Sequence, residues 1–143
     1  MAIRTVLELG AGLGLCSVAA KLFGAAEVVA TDLQHALPGI AHTAALNNVQ
    51  LTIRALDWTQ PYAVRADLVV LSDVVWVEWL VEPLVSTLKL LLGRDNRAVM
   101  CYKVRSLLVD QKFRGSLREA GLRIEEIATA KDHLLCQITA NSS

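Results

Sequence analysis

The chemistry-bearing residues of this chain gather at the ends of apolar runs. Glu8-Leu9-Gly10-Ala11-Gly12-Leu13-Gly14 follows one such run and precedes a helix-like stretch. Glycines let the backbone turn sharply and let a ligand approach it closely. Asp32 closes the next apolar run, where a carboxylate can accept hydrogen bonds from a ribose diol. Strand, glycine turn, helix, strand and acid in that order form a nucleotide-binding layout, with the ligand at the carboxyl ends of the strands.

The glycine spacing selects among nucleotides. A dinucleotide site uses G-x-G-x-x-G, but Gly10, Gly12 and Gly14 run G-x-G-x-G and position 15 is Leu. No P-loop lysine follows to hold a phosphate. An E-x-G-x-G turn suits S-adenosylmethionine, which has no phosphate and carries an amino-acid tail. Glu8 can then face the ammonium or sulfonium side. Asp57-Trp58 follows the third strand, where the acid can meet the adenine amino group and the indole can wall the base. Ser72, at the tip of the fourth strand, is placed with this cofactor set.

The segment Ser72-Asp73-Val74-Val75-Trp76 decides the acceptor. It replaces the Asn-Pro-Pro-Tyr sequence that suits planar amide or base nitrogens. A carboxylate at Asp73 suits a cationic or amine acceptor, and Trp76 can form one wall of a lysine slot and attract a methylated ammonium. Asp73 and Trp76 are therefore the catalytic candidates. Trp79 is read as core packing. His35, His42 and His133 are isolated surface or loop histidines, and no His/Cys spacing suggests a metal.

The elements that must position these residues alternate between apolar runs and helical patterns, the mark of an α/β domain with a mostly parallel sheet. Strands are expected at Thr5–Glu8, Glu27–Thr31, Leu51–Leu56, Asp67–Ser72 and Arg97–Tyr102. A final hairpin is expected from Leu122–Ile127 and Leu134–Ile138. Helices are expected at Leu15–Phe23, Leu37–Leu46, Leu80–Leu92 and Val109–Ala120. In the third, Leu80, Leu84, Leu88 and Leu91 form the buried stripe and Gly93 caps the end. Residues 1–140 then make one domain and 141–143 a loose tail.

Composition narrows the function. The chain has 143 residues, 54% of them hydrophobic, which fits strands buried on both faces. Fourteen basic and fourteen acidic residues cancel, so no charge block recruits nucleic acid. The apolar region from Asp67 to Gly93 is interrupted by Asp73, Glu78, Glu82 and Lys89 and is not a membrane span. Cys16, Cys101 and Cys136 read as small buried hydrophobes in a reducing compartment. The expected protein is a soluble, cytoplasmic monomer, with the nucleus as a second location.

The ordered motifs resemble the seven-β-strand methyltransferases of family 16, the eukaryotic protein-lysine methyltransferases. Val6–Gly14, Ala30-Thr-Asp-Leu33, Leu46-Asn-Asn48, Leu56-Asp-Trp58 and Ser72–Trp76 carry the resemblance. Val81–Leu88 is similar to the branch acting on the AAA ATPase valosin-containing protein and heat-shock chaperones. The resemblance implies a three-layer, Rossmann-like class I sheet of seven strands, mostly parallel with an antiparallel C-terminal hairpin. It implies methyl transfer from S-adenosylmethionine to a lysine of a protein substrate, a chaperone or AAA ATPase among them. By the same match Asp73 and Trp76 fall on the acceptor side, and Glu8, Gly10, Gly12, Asp32 and Asp57 on the cofactor side.

Three departures stand against the family pattern. Trp76 replaces Tyr or Phe. Lys103, in a segment similar to Tyr-x-x-Arg, puts a base where an acid is common. The family also carries a segment before the first strand that this chain is expected to lack. The rival readings are therefore a catalytically weak binding module of the same fold, or a small-molecule or nucleic-acid methyltransferase.

Overall fold

A computed structural model describes residues 3–142. Its strands are β1 (Thr5–Leu9), β2 (Glu27–Asp32), β3 (Thr52–Ala55), β4 (Leu68–Ser72), β5 (Arg97–Lys103), β6 (Leu122–Ala130) and β7 (His133–Ala140). Helices α1 (Leu15–Leu22), α2 (Leu37–Leu46), α3 (Val81–Leu91) and α4 (Leu107–Glu119) connect them. The strands form one sheet in the order β3-β2-β1-β4-β5-β7-β6. The first five run parallel, and β7 pairs antiparallel with both β5 and β6. The mostly parallel seven-stranded sheet with an antiparallel C-terminal pair is thus as the sequence predicts.

The central strands are apolar because helices cover both faces. Leu7, Leu9, Val69 and Leu71 are buried on β1 and β4, and Met100 and Tyr102 on β5. Tyr102 meets Phe113 of α4 edge to face at 6.4 Å between ring centroids. β1 and β4 are also locked at their starts. Asp67 Oδ2 accepts the backbone N–H groups of Arg4 and Thr5 at 2.8 and 2.9 Å. These two donated bonds hold the Asp67 carboxyl below its usual pKa.

Several boundaries differ from the sequence expectation, each for a local reason. α4 starts at Leu107 because Ser106 is extended and its Oγ accepts from Val109 N at 3.4 Å. The end of α3 is closed by Asn96 rather than Gly93. Asn96 Oδ1 accepts from Gly93 N at 2.7 Å, and its Nδ2 donates to Leu91 O at 2.9 Å and Ala66 O at 3.1 Å. Leu80 leaves the buried stripe for a 3₁₀ turn (Glu78–Leu80), and the buried face of α3 is Val81, Leu84, Val85, Leu88 and Leu91. The final hairpin runs longer at both strands, turning at Lys131-Asp132 with a bulge between Glu126 and Ala128. β3 is shorter than expected at both ends.

The cysteine reading is also corrected: only Cys136 is buried, while Cys16 and Cys101 are half-buried. The three histidines are exposed, as expected.

Leu88 sits in the centre of the packed layer between α3 and the sheet with no accessible surface (0%). Leu88→Ala removes its side chain and leaves a cavity, so a loss of about 2–5 kcal/mol is expected. Urea unfolding should show a lower midpoint at an unchanged slope.

Candidate active site

The chain turns back on itself between β1 and β4. β2 and β3 lie to one side of β1, and β4 and β5 to the other. At such a switch point the loops at the carboxyl ends diverge and leave a crevice. Here the crevice is a cavity of about 440 Å³ lined by Gly10, Asp32, Leu33, Leu56, Asp57, Trp58, Thr59, Ser72, Asp73, Val74, Trp76, Trp79 and Leu80. That volume falls among small-molecule sites, which run from roughly 300 to 1,000 Å³.

One end is built on the turn after β1. Gly10 has φ +64°, and an added Cβ there would come within 2.9 Å of Val74 Cγ1 and 3.2 Å of the Trp58 ring. Bare backbone therefore forms part of the wall, pressed between an aliphatic side chain and an indole. Asp32 holds the turn from across the crevice. Its Oδ2 accepts from Gly12 N at 2.8 Å, and its Oδ1 from Leu33 N at 2.6 Å. Ala11 N donates to Thr31 O at 2.9 Å and completes the tie.

Asp57 and Trp58 arrive on the loop after β3. Asp57 Oδ1 accepts from Thr59 N at 2.9 Å and Thr59 Oγ1 at 2.7 Å, and these bonds keep its carboxyl below the usual pKa. Trp58 is partly buried against the core, and its carbonyl accepts from Thr87 Oγ1 of α3 at 3.4 Å.

The tip of β4 and the segment after it contribute Ser72, Asp73, Trp76 and Trp79. Asp73 adopts the left-handed region at φ +53°, which Asp and Asn tolerate better than other side chains. Its N–H donates to Cys101 O at 2.8 Å. Arg105, on the loop after β5, donates to Asp73 Oδ2 in an ion pair. Asp73 Oδ1 is inaccessible to water and has no hydrogen-bond partner among the described residues. Backbone in a sparse region beside an unsatisfied carboxylate oxygen is an arrangement common at functional sites. Five residues on, Glu78 Oε1 accepts from Lys112 Nζ of α4 at 3.1 Å.

The structure brings eight of the nine sequence candidates together: Gly10, Asp32, Asp57, Trp58, Ser72, Asp73 and Trp76 line the cavity, and Gly12 is tied to Asp32. Glu8 is the exception. It is 2% exposed and lies off the cavity wall, where its Oε2 accepts from Ser17 N at 2.9 Å and from Ser17 Oγ. Two residues were misread or missed. Trp79, expected in the core, is 71% exposed and faces the cavity, because it stands on the 3₁₀ turn rather than on α3. Arg105 was not singled out for Asp73; their separation of 32 positions hides the contact from any local pattern.

Among the described residues no cluster of His, Cys, Asp or Glu could hold a metal ion. Among these residues, too, no helix is long and apolar enough to cross a membrane. The residues fit an adenosine bearing an activated cation: Asp32 for a diol, Trp58 for a flat base, bare backbone at Gly10, and a carboxylate oxygen at Asp73 with no protein partner.

Burial pushes the Glu8 carboxyl above its ordinary 4.5, against the opposing Ser17 bonds. Folding then holds a proton that the unfolded chain gives up. The stability linked to neutral Glu8 is complete below pH 4.5 and is lost as pH rises through the raised value. Glu8→Gln stays neutral and keeps an acceptor for Ser17. The melting temperature of the native chain should therefore fall relative to Glu8→Gln as pH increases from 4.5, when both are scanned by circular dichroism.

The geometry has counterparts among known proteins. The pattern of the family described as lysine methyltransferase matches residues 1–120. A ribosomal protein L11 methylase from Lactobacillus delbrueckii subsp. bulgaricus superposes with a TM-score of 0.79 at 21% identity, over 99% of this chain and 72% of that one. A TehB-like SAM-dependent methyltransferase from Corynebacterium glutamicum gives 0.73 at 20% identity, over 96% of this chain and 80% of its own. An O-methyltransferase from neocarzinostatin biosynthesis, solved with S-adenosylmethionine and 2-hydroxy-5-methyl naphthoic acid, gives 0.78 at 15% identity. The match covers 96% of this chain and 49% of that enzyme, about half its length. At these identities the likeness shows the fold, a Rossmann-like methyltransferase sheet.

Proposed function

The chain belongs to the lysine methyltransferase family, and from that membership we propose that it transfers a methyl group from S-adenosylmethionine to a lysine side chain of another protein. The single observation that carries this reading is Asp73. Asp73 lines the same cavity as Asp57, Trp58, Trp76 and Trp79, and one of its carboxylate oxygens has no partner among the described residues.

The bound cofactor supplies a methyl group on an already activated sulfonium. The chain's own residues then have two tasks. Asp32, the Gly10 wall, Asp57 and Trp58 orient the nucleoside. Asp73, Trp76 and Trp79 receive the amine and exclude water. Holding both partners in line accounts for much of the rate in such a displacement.

A lysine amine reacts only as the free base. Burial against indoles favours that neutral form, while a nearby carboxylate favours the ammonium. Arg105, by pairing with Asp73 Oδ2, offsets part of the carboxylate's pull. Positive charge grows on the nitrogen as its bond to carbon forms, and the negative charge of Asp73 at the cavity wall is the preorganised partner for it. The same site disfavours a planar amide or base nitrogen, for which a charged carboxylate is a poor partner. A chaperone or AAA ATPase remains the proposed class of substrate, met as a monomer in the cytoplasm or nucleus.

Asp73→Asn is the decisive variant, since Asn tolerates the left-handed backbone and keeps the shape. It should abolish transfer of labelled methyl groups to lysate proteins and leave S-adenosylhomocysteine affinity within about threefold, a difference under ~0.7 kcal/mol. Turnover at the native rate would remove Asp73 from the mechanism. Asp32→Ala should do the opposite on the cofactor side. Loss of a charged acceptor, worth about 1.5–3 kcal/mol, predicts roughly tenfold to hundredfold weaker S-adenosylhomocysteine binding by calorimetry.

A further inference from the structure

The chain contains three tryptophans, and Trp58, Trp76 and Trp79 all line the one cavity. Trp76 and Trp79 are 55% and 71% exposed, an unfavourable state for indoles with no other partner described. They share the cavity wall with Asp73, whose Oδ1 is shielded from water and unpaired among the described residues, while its Oδ2 is occupied by Arg105. Glu78, between the two indoles in sequence, is drawn towards α4 by Lys112. Of the two acids in this segment, Asp73 is thus the one lining the cavity.

The geometry points to a site selective for alkylated ammonium cations, in which Trp79 is the second aromatic wall and Arg105 sets the preference. A bare ammonium is compact and strongly hydrated, and it enters a site only where charge and donated hydrogen bonds replace its water. Asp73 offers reduced charge because Arg105 neutralises part of it. Each methyl group on nitrogen removes a hydrogen-bond donor and spreads the charge over a surface that indole faces attract. Two indoles and a half-neutralised carboxylate therefore favour the methylated cation. Trp79 is a specificity-determining residue and Arg105 a positioning residue that acts through Asp73. This deepens the function proposed above and rests on it for the bearer of the cation, a lysine side chain. A lysine that already carries methyl groups is held at least as well as an unmodified one.

The test uses the full chain and two probes, tetramethylammonium chloride and ammonium chloride, at constant ionic strength. Tryptophan emission reports on this cavity directly, since every indole of the chain faces it. Saturable binding of tetramethylammonium about tenfold tighter than ammonium is expected, the range of a cation–π contact in a partly desolvated site. Trp79→Leu, at an exposed position, should melt like the native chain and lose most of that preference. Trp76→Leu should behave likewise and serves if the first variant folds poorly. Arg105→Gln should narrow the ratio by strengthening ammonium, and Arg105→Lys should restore it. Equal affinity for the two probes, or unchanged tetramethylammonium binding in folded Trp79→Leu, overturns the inference. A parallel S-adenosylhomocysteine titration separates the two readings. Cofactor binding without the cation preference overturns this site and leaves the transferase. The cation preference without cofactor binding supports this site and overturns the transferase.

Discussion

Everything at the carboxyl edge of the sheet depends on how the chain leaves β1. The turn must reverse within a few residues, present bare backbone to the cavity and deliver α1 to the face of the sheet. Gly10 makes the first part possible, since a side chain there would strike Val74 and Trp58. Asp32 makes it permanent, because its carboxylate receives Gly12 N–H from the neighbouring strand. Glu8 and Ser17 secure the far side: a buried carboxylate of β1 gathers both donors of a residue in α1. One acid thus anchors the turn from the cavity side and another from beneath the helix. Loss of either would move the wall against which the nucleoside is expected to lie.

The acceptor end is organised by a different device. The loop after β4 carries Asp73, Trp76 and Glu78, and it is tied at two points to the chain beyond β5: Asp73 to Arg105, and Glu78 to Lys112. Exposed ion pairs of this kind add little to stability. Their value is positional, for they tie the segment that carries the exposed indoles to the chain after β5. Leu107 and Leu108, both exposed, lie in the tied segment between Arg105 and Lys112. The tied segment therefore combines exposed apolar side chains with charged groups held in pairs.

Much of this was legible in the sequence. The apolar runs of β1, β2, β4 and β5 are continuous because both faces are covered, and the glycine spacing with Asp32 and Asp57 marks the strand ends that converge. What escaped the sequence was of two kinds. Some signals were too weak: residues 128–130 of β6 lie on an exposed edge, show no apolar alternation and still extend the hairpin. The others were side-chain contacts that no periodic pattern marks. Nothing local pairs Asp73 with Arg105, assigns Asn96 to the end of α3, or turns Glu8 towards Ser17. Trp79 was misplaced because it sits three residues after Trp76 and one before an apolar helix. Helical spacing there reads as core, whereas the chain makes a 3₁₀ turn first.

The strand order also governs how the chain can be made. β1 pairs on one side with β2, some twenty residues on, but its other partner, β4, begins at Leu68. As the polypeptide emerges from the ribosome, β1, β2 and β3 can associate early, with β1 left as an open and highly apolar border. That border is closed only when residues 68–72 arrive. The same happens a second time at β5, whose outer neighbour is β7, the last strand of the sheet in chain order. β7 must enter between β5 and β6, so the nascent sheet keeps an adhesive edge until residues 133–140 are released. Long-range parallel pairing of this sort is slow and exposes apolar surface while it waits. A chain so arranged has a standing need for shielding during synthesis, and removal of β7 would leave the outer edge of β5 open in the finished product.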